Sequence, residues 1–273
     1  MAKTDREQTR TAWRTSLTHV EPNRILLRGY PLDEVMGRVS FAEAVYLLLV
    51  GELPPKAIGR LMEALLVSLI DHGTAPPSSQ AARSVASSGA PLRASIAAGL
   101  LGVGAYHGGE IEQCMTMLEE GVSWVRQGMS IDTAAAQVVA RHPGDPSQIP
   151  GFGHRVHTQD PRAAKLFQMA LELEVDGAHL QMIRAVERAL NPTRGGAPHE
   201  KIAINVDGAI AAVCADIGLS AAIGHALFLI SRVPGIAAQA IEERQRERPM
   251  RQIDASASTY DGPRERRVPQ GRS

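Results

Sequence analysis

Cysteine is scarce in this sequence. Cys114 and Cys214 are the only two among 273 residues, enough for at most one bridge, and neither has a neighbour at metal-site spacing. There is no charge excess: 29 Lys and Arg balance 29 Asp and Glu. That excludes a general nucleic-acid binder, whose affinity rests on surplus positive charge. Aromatic residues make up 4%, and no stretch sustains the period-two alternation of a half-buried strand. The opening residues MAKTDREQTRTAW lack an apolar core, so no signal peptide is expected. There is no internal repeat and no low-complexity tract. With 44% hydrophobic and 21% charged residues, the chain is not disordered as a whole. These absences lead to the expectation of a soluble, cytoplasmic protein that needs neither metal nor disulfide to fold. At this length it forms one large domain or two small ones.

A membrane span needs one check. Residues 202–230 are mostly apolar, but Asn205, Asp207, Asp216, Ser220 and His225 interrupt them. Two carboxylates in hydrocarbon are costly. With a break expected at Gly218-Leu219-Ser220, the stretch reads as consecutive buried helices.

What is present is helical periodicity. Residues 42–50 follow Ser40 as a cap. Leu61, Leu65, Leu66 and Leu69 share one face of a segment over 56–71. Ile111, Met115, Leu118, Val122 and Val125 recur at steps of four and three. Asp160-Pro161 is a cap followed by proline in the first turn, and 179–190 and 200–246 complete an all-α set. The small residues of 95–104, SIAAGLLGVG, fit close helix packing within the chain or at a subunit interface equally well. Linkers are expected at 73–79, 142–152 and 191–199, and the arginine-rich tail after Arg244 is expected to be solvated.

Four reactive residues sit against glycines at helix edges. His107 lies in Tyr106-His107-Gly108-Gly109-Glu110, ahead of the 111–125 helix. A helix N-terminus disfavours imidazolium, and a neutral imidazole there can donate to a developing oxyanion; a His-Gly-Gly turn also has a plain structural reading. His154 follows Gly151-Phe152-Gly153, where glycines let the backbone press against a ligand or simply make a turn. His154 and His157 are three apart with no carboxylate partner, so no metal site is expected. Asp207, in Asn205-Val206-Asp207-Gly208, is a carboxyl in an apolar stretch. Burial would raise its pKa toward neutrality, while helix capping is the alternative. His72, in Asp71-His72-Gly73-Thr74, is by itself a loop histidine. Arg162, Arg232 and Arg248 stand near helix ends with Pro or Gly close by, and guanidinium forks suit a di- or tricarboxylate.

Taken in order, RGYPLDEVMGRVSFAEAVYLLLVGELP, HGGEIEQCM, PGFGHRVHTQDPRAAK, NVDGAI, SRVPG and ERP resemble the citrate synthase family, over about Arg28 to Pro249. The resemblance implies an all-α fold with a large domain (1–110 and 218–273) and a small domain (111–217) closing over the cleft, in a homodimer. It implies that His107 hydrogen-bonds the thioester oxygen of the acetyl-CoA enol, that His154 meets the oxaloacetate carbonyl, and that Asp207 exchanges the methyl proton. His72, Arg162 and Arg232 would hold the substrate carboxylates, with Arg248 contributed across the dimer. Gly151, Phe152, Gly153, Lys201 and Asn205 would lie on the coenzyme A side. No cofactor is implied, since the coenzyme A thioester is itself the substrate.

The departures point to a branch. The loop DHGTAPPS (71–78) and the NVDG motif look like the short citryl-CoA lyases and the citrate-synthase-like module of ATP-citrate lyase. Ile111 stands where the HGGxNE form has asparagine. His154 and Arg162 are one residue closer than in typical bacterial citrate synthases. The expectation is a citryl-CoA lyase that cleaves (3S)-citryl-CoA to acetyl-CoA and oxaloacetate, with His154 taking the hydroxyl proton. The alternatives are a citrate or 2-methylcitrate synthase and a non-catalytic coenzyme A-binding subunit.

Overall fold

The structure is a computed structural model and describes residues 13–145, 148–154, 156–191, 201–252 and 254–267. The expectations for the first twelve residues, for Arg155 of the His154 motif and for most of the 191–199 linker fall outside the described residues. The described chain is mostly helical, and its packing divides it into two compact units. One comprises 1–72 and 103–235; the other comprises 73–102 and 236–273. These boundaries differ from the division at 110 and 217 expected above.

The first unit opens with a small antiparallel sheet, β1 (Thr18–Glu21), β2 (Arg24–Leu27) and β3 (Tyr30–Pro31). β1 pairs with β2 from Thr18↔Leu27 to Glu21↔Arg24, and β2 pairs with β3. No strand was expected, because β1 is exposed along its length and buries no alternate face. Its signal lies in the turns: Asn23 adopts positive φ after Pro22, and Arg28 and Gly29 both do, the second being the pattern of a two-residue hairpin loop.

A short α1 (Leu32–Val35) leads to α2 (Phe41–Val50). Ser40 caps α2 reciprocally with Glu43: the Ser40 hydroxyl accepts from the Glu43 amide, and the Glu43 carboxylate accepts from the Ser40 amide. α3 is Lys56–Ser68, and α6 is Glu110–Arg126. α7 (Ile131–Ala140) was not expected; Ser130, whose hydroxyl accepts from the Thr133 amide, is the cap that marks it. α8 (Pro161–Glu172), α9 (Ala178–Leu190) and α10 (Val206–Asp216) follow. α10 packs on α6, α8 and α9, and Ala209–Cys214 of α10 are fully buried. α10 is therefore the central helix of this unit, which explains its lack of a polar face.

The second unit pairs α4 (Pro77–Ser87) with α5 (Leu92–Leu101). A Cβ at Gly99 would approach Ser78 O to 3.1 Å and Ile236 Cγ2 to 2.6 Å, so the small residues of this stretch serve packing within the chain. α11 (Ala221–Arg246) contains Pro234, and the boundary between the units falls at Gly235. By length and composition α11 could cross a membrane, although 39% of its most apolar window is buried. The expected break is present, since α10 ends at Asp216 and α11 begins at Ala221. In the second unit the buried Glu243 accepts from Arg83 at 2.8 Å and from Arg251 at 2.7 Å, which holds the turn carrying Arg248.

One polar cluster locks α6, α9 and α10. His179, 6% exposed, sets Nδ1 2.8 Å from Asp216 and Nε2 2.7 Å from Glu119. The Asp216 carboxylate also accepts from the His179 and Leu180 amides, both at 2.9 Å, and so caps α9. The hydrogen bond to Asp216 outweighs desolvation and, with Glu119, raises the imidazole pKa. The stabilisation from this charge is complete below the ordinary pKa of 6.5 and fades as pH rises through the raised value. His179→Gln is therefore expected to destabilise by about 3–5 kcal/mol at pH 6. Urea melts of both proteins should show that gap narrowing at alkaline pH.

Candidate active site

His72, His107, His154, Arg162, Asp207 and Arg232 all belong to the first unit. His107 sits in a tight turn where Gly104 and His107 exchange backbone hydrogen bonds, both at 2.9 Å. The next residue, Gly108, has φ +81°, and a Cβ there would lie 2.3 Å from the Phe228 ring. Only glycine allows both the left-handed backbone and this approach. Phe228 joins two site residues: His107 meets its ring at 6.0 Å, edge to face, and the Arg232 guanidinium lies over it at 5.1 Å. Phe228 was missed in the sequence. Its signal is the i, i+4 spacing to Arg232 on one helix face.

Arg232 is the most exacting group here. It is 3% exposed, yet its Nε and Nη1 have no hydrogen-bond partner. Desolvation lowers its pKa, while the charges of Asp207 and Asp71 oppose that effect. A buried guanidinium with open donors is costly unless an anion arrives to meet it.

Arg162 is held at the opposite extreme. Its Nε and Nη2 form a fork onto Asp160 at 3.0 and 2.9 Å, leaving Nη1 outside that fork. Asp160, 3% exposed, also accepts from the Arg162 and Val206 amides at 3.0 Å. Burial alone would raise its pKa, but the Arg162 hydrogen bond and charge hold it below the usual carboxylate range. One carboxylate thus caps α8, orients Arg162 and ties the start of α10.

His154 follows the glycine loop and is half-buried. Its Nδ1 accepts from the Val156 and His157 amides, both at 3.1 Å. Two donors on Nδ1 put the ring proton of the neutral form on Nε2. His157 stacks on the ring at 4.5 Å, and His72 meets it edge-on at 5.5 Å. Desolvation first, then His157 with Arg162 and His72, lowers the His154 pKa. His72 is lowered by desolvation, then by Arg162 and Arg232. Both rings are therefore neutral at physiological pH. This geometry revises the expected role of His154: in this tautomer Nε2 donates, and it has no lone pair with which to take a hydroxyl proton.

Asp207 lies in the first turn of α10. Its Oδ1 is enclosed and has no hydrogen-bond partner, so it is not a helix cap; Asn205 does that work, its Oδ1 accepting from the Gly208 amide at 3.0 Å. Burial, reinforced by the Glu110 carboxylate, pushes the Asp207 pKa up to about 7 against the opposing charges of Arg162 and Arg232. Such a carboxyl can give or take a proton near neutrality.

Two residues expected on the coenzyme A side have their side chains engaged within the protein. Phe152 is 2% exposed and packs in the core, so its ring offers no face to a ligand. Asn205 is 7% exposed, and its amide is spent on Gly208, on Gly153 O at 3.0 Å and on Glu110 at 3.4 Å. Gly151 is glycine for packing: a Cβ there would lie 2.6 Å from Cys114 Sγ and 2.8 Å from Gly208 Cα. Gly153 donates to Ala203 O at 2.9 Å, fixing the loop that presents His154. Lys201 is exposed in the first unit, and Arg248 is exposed in the second. Among the described residues no group of three or more His, Cys, Asp or Glu could hold a metal ion.

Residues 54–252 match the family model for the citrate synthase C-terminal domain. The chain belongs to the citrate synthase family. Within this family it is similar to the structure of citryl-CoA lyase from Hydrogenobacter thermophilus, with 39% identity, a TM-score of 0.84, and coverage of 95% of this chain and 98% of that one. A mutant ATP citrate lyase from Methanosaeta concilii in complex with (3S)-citryl-CoA is 20% identical with a TM-score of 0.77, over 93% of this chain and 42% of that one. That likeness shows the fold alone. The citrate synthase of Heyndrickxia coagulans is 26% identical over 84% of this chain, which spans 58% of that relative. The citrate-synthase fold thus agrees with the helical class expected from periodicity.

Proposed function

We propose that this family member is an enzyme acting on a coenzyme A-linked citrate, and specifically a citryl-CoA lyase. The observation that carries the lyase reading is the likeness, along nearly the whole of both chains, to the Hydrogenobacter thermophilus enzyme. The site geometry supports it. The open donors of Arg232, with Nη1 of Arg162 nearby in charge, suit the carboxylates of the oxaloacetate half. Lys201 and the backbone of the 151–153 loop serve the coenzyme A side.

Cleavage is a retro-aldol. As the C–C bond breaks, its electron pair moves into the thioester, and His107 donates to the resulting enolate oxygen. Asp207, protonated near neutrality, delivers its proton to the enolate carbon and is left as carboxylate. His154 donates from Nε2 to the oxygen becoming the oxaloacetate carbonyl. The hydroxyl proton passes to the neutral ring of His72, which becomes imidazolium, and solvent exchange resets both groups. A pre-aimed donor at such an oxyanion is worth about 3 kcal/mol, and acid–base help adds about 10²–10⁴ in rate. The side chains and the thioester supply this chemistry without a further cofactor. The reading carries with it a soluble cytoplasmic homodimer, with Arg248 shared across the interface.

The test is a pair of assays. Oxaloacetate release from citryl-CoA, followed by reduction with a coupled dehydrogenase, is expected to run at least about tenfold faster than free-thiol release from acetyl-CoA plus oxaloacetate. The reverse order would make the protein a condensing synthase, and coenzyme A binding by calorimetry with neither activity would make it a binding subunit.

A further inference from the structure

His225 lies near the start of α11, and the mechanism above does not use it. Its Nδ1 is 3.2 Å from the carbonyl oxygen of Gly108, the residue that follows His107. A carbonyl oxygen only accepts, so Nδ1 is the donor, and the neutral ring keeps its lone pair on Nε2. Gly108 is buried, and a buried backbone carbonyl needs such a partner. Close helix packing brings the two together. At the neighbouring Gly224 a Cβ would lie 2.7 Å from Met115 Sδ and 3.1 Å from Ile111 Cγ2. Glycine there lets α11 come against α6, the helix that the His107 turn opens.

His225, Phe228 and Arg232 follow one another at steps of three and four, hence on one face of α11. His225 holds the Gly108 carbonyl. The Phe228 ring fills the space that a Cβ at Gly108 would take and meets the His107 ring edge-on at 6.0 Å. The His107 and Gly109 amides close the turn itself, donating to Gly104 O at 2.9 and 3.1 Å.

We propose that His225 is a positioning residue for His107: its Nδ1–H fixes the Gly108 peptide, and through it the direction in which the His107 ring meets the thioester oxygen. This rests on the lyase reading, in which His107 donates to the enolate oxygen. Such a donor works only where it is pre-aimed, and a displacement of about 1 Å can cost about 10²-fold in rate. His225 itself moves no proton in this scheme.

His225→Asn and His225→Leu separate the hydrogen bond from the imidazole. The asparagine amide N–H stands close to the place of Nδ1–H and can still donate to Gly108, whereas leucine fills the space without a donor. In His225→Leu, kcat for citryl-CoA cleavage is expected to fall about 10²-fold, with KM changed less than about twofold. His225→Asn should recover most of the loss. Equal losses in both variants would overturn the proposal, because asparagine carries no proton and His225 would then be acting as an acid or base. Parental kcat in both would overturn it as well. If His225→Leu does not fold, His225→Ala removes the same donor and takes its place.

A second measurement does not depend on turnover. Hydrogen–deuterium exchange, followed by mass spectrometry of a peptide covering 103–110, reads the His107 and Gly109 amides. Their exchange is expected to quicken about tenfold in the leucine variant, as for the loss of one hydrogen bond, and to keep the parental rate in the asparagine variant. That pattern supports the tether even if citryl-CoA is not cleaved, in which case only the lyase reading falls. Equal exchange in all three proteins overturns the tether even in an active lyase.

Discussion

Asp207→Asn is expected to abolish citryl-CoA cleavage and, at pH 8, to raise the melting temperature. Asparagine is nearly isosteric but cannot deliver a proton to carbon, so kcat should fall by about 10³ or more, of the order that general acid–base catalysis supplies. The stability gain follows from the same burial that makes the acid useful. An aspartate has an ordinary pKa of 3.8, and here it is held at about 7. Folding therefore favours the protonated form. The associated stabilisation is complete below pH 3.8 and is lost as pH rises through 7. Above that value the folded protein carries an ionised, poorly solvated carboxylate at a cost of about 4 kcal/mol as an upper figure. The amide does not ionise and avoids that cost. Thermal melts from pH 5 to 9 should show the variant gaining several degrees at the alkaline end, with the gap narrowing steadily toward acid. A variant less stable than its parent at pH 8 would mean that Asp207 is held by partners the site does not show.

Arg232→Met is expected to raise KM at least about a hundredfold while leaving the fold as stable as before or more so. Charge-assisted hydrogen bonds contribute about 1.5–3 kcal/mol each, and two open donors, Nε and Nη1, would be lost to the substrate. The free protein stands to lose little. Its guanidinium is 3% exposed with those donors unmet, and replacing a buried ion by an apolar side chain of similar length is often neutral or stabilising by about 1–4 kcal/mol. Methionine also keeps contact with the Phe228 ring. Chemical denaturation beside steady-state kinetics decides it. A large fall in stability with an unchanged KM would make Arg232 a structural residue.

Both variants trade activity against stability in the same direction. Asp207 and Arg232 are groups that the folded chain holds at a cost, and for Arg232 a carboxylate meeting its open donors is what would relieve it. Arg162 behaves differently. Asp160 neutralises and orients it before any ligand arrives, so truncation there would also release the start of α10, through the Val206 amide that Asp160 accepts.

The amino-acid sequence by itself determined the helical class, most helix positions and the identity of the chemical groups. Helical spacing of apolar residues, the Ser40 and Asp160 caps and the glycines beside each histidine are local signals, and local signals survive in one dimension. α7 and the exposed hairpin escaped that reading because the first was marked by little more than its Ser130 cap and the second buries no face. Tertiary structure alone decided what each group is free to do. Packing spends the Asn205 side chain on capping and buries the Phe152 ring, and neither could be read from the chain. His154 reads as a base until two backbone amides converge on its Nδ1 and leave the proton on Nε2. The contact of Phe228 with His107 joins residues more than a hundred positions apart, and only its i, i+4 spacing to Arg232 is visible in one dimension. Protonation and hydrogen-bond demand depend on what surrounds an atom in space, and that environment exists only once the helices have packed.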